Sequence, residues 1–434
     1  MEYKRIFRDG INLLFGQLAS NLIGLLNIMI LTRILTTEEM GKYSLFIMVA
    51  SLAIQIGISW TDASVLRHGR EEFVKHKKIN KSFWARFRLY VPLLLLCITL
   101  YTLFYKKISE YVSMPSYVVL LIIMYFFLMS LVSYLGNIYR SIDVISKAAY
   151  IITLHKFFYF IGLVLIFFGV IKSNLILIIV ILDLSLLLTL IINLIGFDKS
   201  VIMPYTFDME YFKKIWSYSW PQFIGFTGIY IINFVDLHVI KEYMTLSDVG
   251  VYNVAYNGFT LITGFILLIN TLFLPLIVEY KAKDRYDLIK KYYKKIPLLS
   301  LLWLFLVIIG ILISDKVIPL FFSQKYVASV PSFKILLIAT FFYFIYVCLM
   351  PLVNAFDLIL YNQIFNVVKA IINIILDYIL IPKFGIIGAA YATLISFFIG
   401  TILTSLVVHF NKKQIFKTEK ISMLNRNLDG TINE

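Results

Sequence analysis

The sequence predicts an all-α membrane protein of about twelve transmembrane helices, in two six-helix halves related by pseudo-two-fold symmetry around a central cavity. Three observations predict this fold: the composition, the recurrence of long apolar segments, and an internal repeat. Of the 434 residues, 60% are hydrophobic and 15% are charged, and the mean hydropathy is +0.87. Soluble domains are about half apolar and a quarter charged. The composition therefore excludes a soluble enzyme, a disordered chain and, despite a net charge of +15, a nucleic-acid-binding domain.

The apolar segments are continuous rather than alternating, which excludes an outer-membrane barrel. Most are long enough to cross a bilayer, while the third and the ninth are close to the lower limit. Asn and Gln residues interrupt the first segment and no small-residue cleavage site follows it, so a cleavable signal peptide is not expected. The predicted spans are residues 11–33, 42–66, 89–105, 117–139, 148–170, 175–196, 217–240, 249–275, 297–313, 333–356, 363–381 and 385–409.

The distribution of Lys and Arg predicts the orientation of the chain. With a cytoplasmic N-terminus and one crossing per span, the cytoplasmic segments hold 28 of the 40 basic residues and the outer segments hold 10. This asymmetry follows the positive-inside rule, so both termini are expected in the cytoplasm. The basic runs at 67–88 and 281–295 are interpreted as topology determinants and contacts with anionic lipid; the alternative is a soluble partner or nucleic acid.

The two halves of the chain repeat short motifs at separations close to half its length. Gly41 and Gly250 lie 209 residues apart, and Gln17 and Gln222 lie 205 apart. The string FGVI at 168–171 returns as FGII at 384–387. We expect each of the first two glycines in a tight outer turn that tolerates positive φ. Parallel repeats of this kind are typical of transporters, in which one half moves against the other around a central site.

This repeat divides the chain into four parts. They are an N-terminal six-helix half (1–196), a cytoplasmic linker (197–216), a C-terminal six-helix half (217–409) and a cytoplasmic tail (410–434).

Several motifs resemble the polysaccharide or O-antigen flippases of the Wzx or RfbX type. These belong to the multidrug/oligosaccharidyl-lipid/polysaccharide exporter superfamily. Residues 31–35 (LTRIL) and 38–43 (EEMGKY) are similar to the first outer turn of the family. Residues 219–221 (SWP), Asp236 and residues 250–255 (GVYNVA) are similar to its second-half opening. The most specific match is NIILDYILIPKFGIIGAA at 373–390, which is similar to the superfamily's helix 11–12 hairpin.

The resemblance implies a flippase that moves an undecaprenyl-diphosphate-linked oligosaccharide, an O-antigen or capsule repeat unit, across a bacterial inner membrane by alternating access. It also implies membrane lipid, a polysaccharide polymerase and chain-length machinery as partners, and leaves open a proton or sodium counter-ion. A cation-coupled drug antiporter of the same superfamily is the alternative, and a membrane-embedded polymerase is a third. The superfamily's drug antiporters commonly use buried carboxylates in their coupling sites, including one in the first helix in many prokaryotic members. The first span here holds amides and no acid, which favours an anionic substrate.

Two lysines lie inside predicted spans, and a charge at the bilayer centre costs on the order of 2.5–3.5 kcal/mol. Lys156 and Lys369 are 213 residues apart, within a turn of repeat-related positions. They are interpreted either as side chains that reach the cytoplasmic headgroups or as a paired basic lining that attracts a diphosphate. The other charges in or beside spans are Asp62, Arg67, Arg140, Asp183 and Asp236.

For Asp62 and Arg67 the alternatives are structural charge balance or substrate contact, and for Arg140 an orientation anchor or substrate contact. Asp62, Asp183 and Asp236 are candidates for carrying a coupling ion, with a hydrogen-bonded structural role as the alternative.

Amide side chains cluster in the opening helices of both halves. Any one amide can simply hydrogen-bond a neighbouring helix, but so many together favour a wet cavity that recognises the hydroxyl groups of sugars. The candidates are Asn12, Gln17, Asn21, Asn27, Gln222, Asn233, Asn253 and Asn257.

We expect no catalytic group, cofactor or metal site. The five histidines show no metal-ligand spacing, and the sequence contains no phosphate-binding glycine loop. Cys97 and Cys348 lie in different halves and imply no disulfide framework. The sequence therefore predicts a transporter and not an enzyme.

Overall fold

A computed structural model describes the backbone of residues 2–416, and the side chains of this range except those of residues 2–14, Ile152 and Ile359. The described residues form helices and connecting turns, and twelve of the helices are long and apolar enough to cross a membrane. They are α1 (Glu2–Ile34), α2 (Thr37–His76), α3 (Asn80–Leu103), α4 (Val118–Ser141), α5 (Ile145–Phe167), α6 (Leu175–Ile195), α7 (Met209–Tyr243), α8 (Leu246–Ala282), α9 (Tyr286–Phe322), α10 (Val330–Ala355), α11 (Ile359–Phe384) and α12 (Ile386–Phe410). The predicted all-α membrane fold is confirmed.

Several helices extend beyond their predicted spans. The third and ninth spans, predicted as 89–105 and 297–313, are helices of 24 and 37 residues. The predictions were short because the apolar window excludes the polar and basic turns at helix ends. The same is true of α7, which begins at Met209 and not at 217. Asp208 caps it by accepting from the backbone N–H groups of Glu210 and Tyr211 at 3.0 and 3.2 Å.

Helix α2 runs continuously over 40 residues but is irregular in its middle. Two π-helical segments, Ala53–Ile58 and Val65–Gly69, flank a short 3₁₀ turn at Ser59–Thr61. The predicted span 42–66 ends within this region, and the helix continues through part of the basic run at 67–88. Such π-helical turns are frequent at functional sites.

Helices α1–α6 form one lobe and α7–α12 the other. In the N-terminal lobe α1 packs along α5 and α4 along α6, and in the C-terminal lobe α7 packs along α11 and α10 along α12. The lobes meet through α2 and α8, through α2 and α7, and through α3 and α7. We call the end of the bundle with the α1–α2 turn the α1–α2 face, and the end with the α2–α3 turn the α2–α3 face.

The repeat is visible in how corresponding helices begin. Both α2 and α8 start with a capping box, formed by Thr36 with Glu39 and by Thr245 with Asp248. The FGVI and FGII strings place Gly169 and Gly385 at φ values of 75° and 60°, which favour glycine. Two equivalent halves therefore share local signals as well as helix order.

The buried apolar residues show where the lobes are joined. At the α1–α2 face one continuous core contains residues of both lobes, such as Phe46 and Tyr252. Toward the α2–α3 face each lobe has a separate core, one around Leu135 and the other around Leu352. A small cluster around Ile215 links α3 and α7 there. The lobes are thus sealed together at the α1–α2 face and more weakly joined at the other.

Candidate functional site

A cavity of about 380 Å³ lies between the lobes. Helices α1, α2, α4, α5 and α6 form its N-terminal wall, and α7 and α8 form its C-terminal wall. Its polar lining residues are Asn27, Tyr43, Ser44, Tyr125, His155, Lys156, Tyr159, Asn233, Asn253, Tyr256, Asn257 and Thr260. Among these lining residues, Lys156 carries the positive charge, and none is Asp or Glu. The chamber is therefore suited to an anion that carries hydroxyl groups.

Lys156 is held against α1 by contacts on both its backbone and its side chain. Its Nζ donates to the carbonyl oxygen of Ser20 at 3.2 Å, and its own carbonyl accepts from Asn27 Nδ2 at 3.0 Å. Gly24 of α1 faces the ammonium group, and a Cβ there would be in ordinary contact with Nζ at 3.5 Å. Since an ammonium group has three donors and Ser20 occupies one, two donors are left for a ligand.

The opposite wall carries amides and a tyrosine from α7 and α8. Asn233 Oδ1 accepts from the Tyr256 hydroxyl at 3.3 Å, and that hydroxyl also contacts the Ile232 carbonyl at 3.1 Å. Asn253 and Asn257 are one turn apart on α8 and both line the cavity. Three of the sequence-predicted amides of the seventh and eighth spans, Asn233, Asn253 and Asn257, thus lie across from Lys156.

Three further predicted amides, Gln17, Asn21 and Gln222, lie away from this lining. Gln17 donates to Asn21 at 3.0 Å, and Asn21 packs against Gly264 of α8 on the α2–α3 side of the cavity. Gln222 is half-buried on α7. Asn12 lies outside the residues whose side chains are described.

Two predicted arginines also lie away from the cavity. Arg67 is exposed, 5.0 Å from the centre of the Tyr218 ring of α7 and 3.7 Å from Glu71. Arg140 is half-buried at the end of α4. Both are closer to the α2–α3 face than the cavity is.

Lys369 differs from its repeat partner. It is 4% exposed inside the C-terminal lobe, with Nζ 4.4 Å from the centre of the Tyr346 ring and 5.5 Å from that of Phe397. Its side chain also packs against Gly400 of α12. Lys369 therefore does not line the cavity, because aromatic rings of α10 and α12 enclose its ammonium group inside the lobe.

Asp62 has a partner in the basic run at 67–88. Arg86 of α3 is fully buried, pairs with the Asp62 carboxylate, and donates to the Thr61 hydroxyl at 3.1 Å. The rings of Tyr90 and Tyr134 lie over its guanidinium group. Asp62 is thus part of a buried ion pair at the irregular turn of α2, and it does not pair with Arg67.

Asp236 belongs to a buried polar cluster in the C-terminal lobe. Its carboxylate accepts from the Tyr252 hydroxyl and from Thr393 Oγ1, the latter at 3.0 Å. Asp377 and Asn373 of α11 lie beside the same carboxylate. Within the described part of the chain, both oxygens of Asp377, both polar atoms of Asn373 and Oδ1 of Asp236 lack a hydrogen-bond partner. Unpartnered buried oxygens of this kind are suited to a proton or a monovalent cation.

Asp183 is 1% exposed on α6, and both its oxygens lack a hydrogen-bond partner among the residues that the structure describes. Its neighbour Leu182 lines the cavity. Asp183 therefore lies directly behind the cavity wall and not in it.

Sequence reasoning did not assign Arg86, Asn373, Asp377 or the cavity tyrosines to a site. Asp377 and Asn373 stand in the motif at 373–390, where an acid and an amide one turn apart in an apolar helix were a usable signal. Tyr43 and Tyr252, 209 residues apart, were also visible as a repeated pair. Arg86 gave no such signal, because its partner lies 24 residues away.

The α1–α2 face is closed by direct contact between the lobes. Gly41 packs on the Leu246 carbonyl and Gly250 packs on that of Thr37, so the two helices touch backbone to backbone. Neither glycine has positive φ. The prediction of a tight turn at these positions is therefore wrong, and close approach is the reason for glycine.

Two basic residues reinforce this closure. Arg33 of α1 donates to the carbonyls of Leu320 and Phe321 at the end of α9, both at 2.8 Å. Lys325 donates back to the carbonyls of Arg33 and Leu35 at 3.3 and 3.2 Å. Cations are favourable at helix C-termini, so each lobe caps a helix end of the other.

Two pseudo-symmetric six-helix lobes around a polar cavity define a membrane transporter fold, and solved structures share it. The lipid II flippase MurJ in an inward closed conformation is similar with a TM-score of 0.74 at 16% identity, covering 96% of this chain and 93% of that chain. An inward-facing multidrug resistance MATE family transporter of the MOP superfamily is similar with a TM-score of 0.69 at 14% identity, covering 94% and 99%. At these identities the likeness shows the fold.

Residues 6–281 match the family model described as polysaccharide biosynthesis protein. The chain belongs to this family, and it is a multi-pass membrane protein with the fold of the MOP superfamily. A probable low-salt glycan biosynthesis flippase of Haloferax volcanii is 24% identical over 194 residues, 44% of this chain and 41% of that protein. An uncharacterised membrane protein of Methanocaldococcus jannaschii is 26% identical over 228 residues, 50% and 45%. The chain spans less than half the length of these curated relatives.

Proposed function

We propose that this protein is a flippase for an undecaprenyl-diphosphate-linked oligosaccharide, an O-antigen or capsule repeat unit. It moves the head group from the cytoplasmic to the outer leaflet of a bacterial inner membrane. The observation that carries this proposal is the lining of the cavity: one lysine, four asparagines and several hydroxyl groups, with no carboxylate. The polysaccharide biosynthesis family and the flippase named among its relatives support it.

The two walls of the cavity would divide the recognition of the head group. Lys156 offers its unused donors to the diphosphate, and a charge-assisted hydrogen bond contributes about 1.5–3 kcal/mol. Asn253 and Asn257 each present a donor and an acceptor, which suits a sugar hydroxyl. The polyprenyl chain stays in the lipid while the head group crosses.

Alternating access would proceed by movement of the lobes about their shared core. The separate cores toward the α2–α3 face allow that side to open for loading, while the glycine contact and the reciprocal caps keep the α1–α2 face shut. Release requires those contacts to break. With the α2–α3 face in the cytoplasm, an inside-negative potential assists the outward step by roughly 4–5 kcal/mol per 100 mV for two negative charges.

A coupling cation would bind in the C-terminal lobe. Asp62, which was also a candidate for this role, is neutralised by Arg86. Asp236 has a second acid, Asp377, beside it, and two adjacent carboxylates cannot both stay charged unless a proton or cation lies between them. We therefore place proton or sodium coupling at Asp236 and Asp377.

A flipping assay with the purified protein in liposomes tests the proposal. We expect a polyprenyl-diphosphate-linked oligosaccharide to move between leaflets without growing in length. Cation-driven uptake of organic cations, with no movement of the lipid-linked sugar, would instead establish the antiporter function. Lengthening of the glycan would establish a polymerase.

A further inference from the structure

A second pocket, of about 490 Å³, opens on the C-terminal lobe between α9, α10 and α12. None of its lining residues lines the central cavity. Lys294 is the charged residue among those that line the pocket. Further along the pocket, the lining includes Pro297, Ser300, Leu349 and Ser405. The Ser300 hydroxyl is already bonded to the Ile296 carbonyl at 2.8 Å. The pocket is therefore an apolar groove with a cation at one end.

The position of the groove along α9 matches the boundary of the predicted span at 297. Lys294 precedes that boundary, Pro297 lies at it, and Ser300 follows three residues later on α9. Lys290 lies one turn before Lys294 on the same side of α9, because residues four apart share a helix face. Both lysines are exposed. Along α9, the positive charge thus comes first and the apolar surface follows, which matches the order of a lipid headgroup and its acyl chain.

The lysines of this turn have no acidic partners among the described residues. The structure pairs Asp287 with Arg285 at 3.0 Å and Glu279 with Lys283 at 2.6 Å, which leaves Lys290, Lys291, Lys294 and Lys295 without an ion pair. Tyr293, which also lines the groove, contacts Phe416 of the short helix Lys412–Phe416, with 5.1 Å between ring centres and 51° between ring planes. That helix adds two exposed lysines beside the groove.

We propose that this groove binds an anionic glycerophospholipid of the membrane, with the phosphate on Lys290 and Lys294 and one acyl chain between α9, α10 and α12. Phosphate and clustered lysines near a membrane surface attract each other, and an acyl chain gains by leaving water for an apolar groove. A lipid in this position binds α9, α10 and α12 of one lobe, so it stabilises the C-terminal lobe without entering the transport path.

Native mass spectrometry of the full chain tests this proposal, with phosphatidylglycerol and phosphatidylcholine of identical acyl chains as probes. The wild type should retain one phosphatidylglycerol much more strongly than phosphatidylcholine. The double variant Lys290→Gln/Lys294→Gln should lose roughly thirty-fold in retention, as expected when two lysine–phosphate contacts at the membrane surface are removed. Lys75→Gln/Lys78→Gln, the same charge change at exposed lysines on the same face of the other lobe, should retain the lipid.

A second variant separates the groove from surface charge. Ser405→Leu fills the groove and leaves both lysines, and it should weaken retention of phosphatidylglycerol while thermal stability in detergent stays at the wild-type value. If Ser405→Leu retains phosphatidylglycerol as well as the wild type does, the lipid binds to surface charge and not in the groove, and the proposal is overturned. Equal retention of the two phospholipids, or stronger retention of a polyprenyl phosphate than of phosphatidylglycerol, would also overturn the proposal.

Discussion

The two lobes have corresponding helices, but their polar side chains differ at corresponding positions. Asn27 and Tyr43 of the N-terminal lobe line the cavity, and the residues 209 positions later are Asp236 and Tyr252. Those two bond to each other inside the C-terminal lobe. Lys156 faces the cavity, while Lys369 is enclosed by aromatic rings. The repeat thus preserves the helix geometry, while at these positions the N-terminal lobe presents its polar groups to the cavity and the C-terminal lobe buries them.

The largest expected effect concerns how each lobe holds its buried acids. In the N-terminal lobe Asp62 is paired with Arg86, so Arg86→Leu leaves a carboxylate without its cation. We expect a loss of about 3–5 kcal/mol in the free energy of unfolding, measured by thermal or denaturant unfolding in detergent. Asp62→Asn in the same chain should restore much of it. If Arg86→Leu is as stable as the wild type, the Asp62–Arg86 ion pair does not stabilise the irregular turn of α2.

The second prediction separates the acids of the two lobes by function. Asp377→Asn keeps the size and hydrogen-bonding capacity of the side chain but removes one of two adjacent charges. In liposomes that contain Asp377→Asn, we expect an imposed proton or sodium gradient to give no stimulation of flipping. Asp183→Asn, in the N-terminal lobe, is the matched control and should keep that stimulation. The opposite pattern would move ion coupling to the N-terminal lobe.

A smaller effect is expected where the lobes touch. Gly250→Ala places a Cβ on the Thr37 carbonyl, and overpacking of this kind costs about 1–3 kcal/mol. Spin labels on the two lobes should therefore report a wider α1–α2 face. Gly169→Ala is the control, since its Cβ would meet nothing within 4 Å and its strain at positive φ is confined to one turn. If both variants leave the distance distribution unchanged, the glycine contact does not keep this face closed.

The helices and the repeat were predictable from the sequence, because continuous apolar segments and recurring motifs are local signals. Helix ends were less so, since the cap at Asp208 and the basic turns of α9 lie outside any apolar window. The repeat located Gly41 and Gly250 but not the reason for them, which is a contact across the lobe interface. Periodicity likewise cannot show that Lys156 faces the cavity while the rings of Tyr346 and Phe397 enclose Lys369, because the neighbours of each lysine come from other helices.

The central claim is that the N-terminal lobe supplies the cation that holds the substrate. The most direct test compares Lys156→Gln with Lys369→Gln in liposomes that report flipping of a polyprenyl-diphosphate-linked oligosaccharide. Loss of a charge-assisted contact of about 1.5–3 kcal/mol predicts that Lys156→Gln slows flipping roughly ten-fold to a hundred-fold, while Lys369→Gln flips at nearly the wild-type rate. Equal slowing by both variants, or an undiminished rate for Lys156→Gln, would contradict the account.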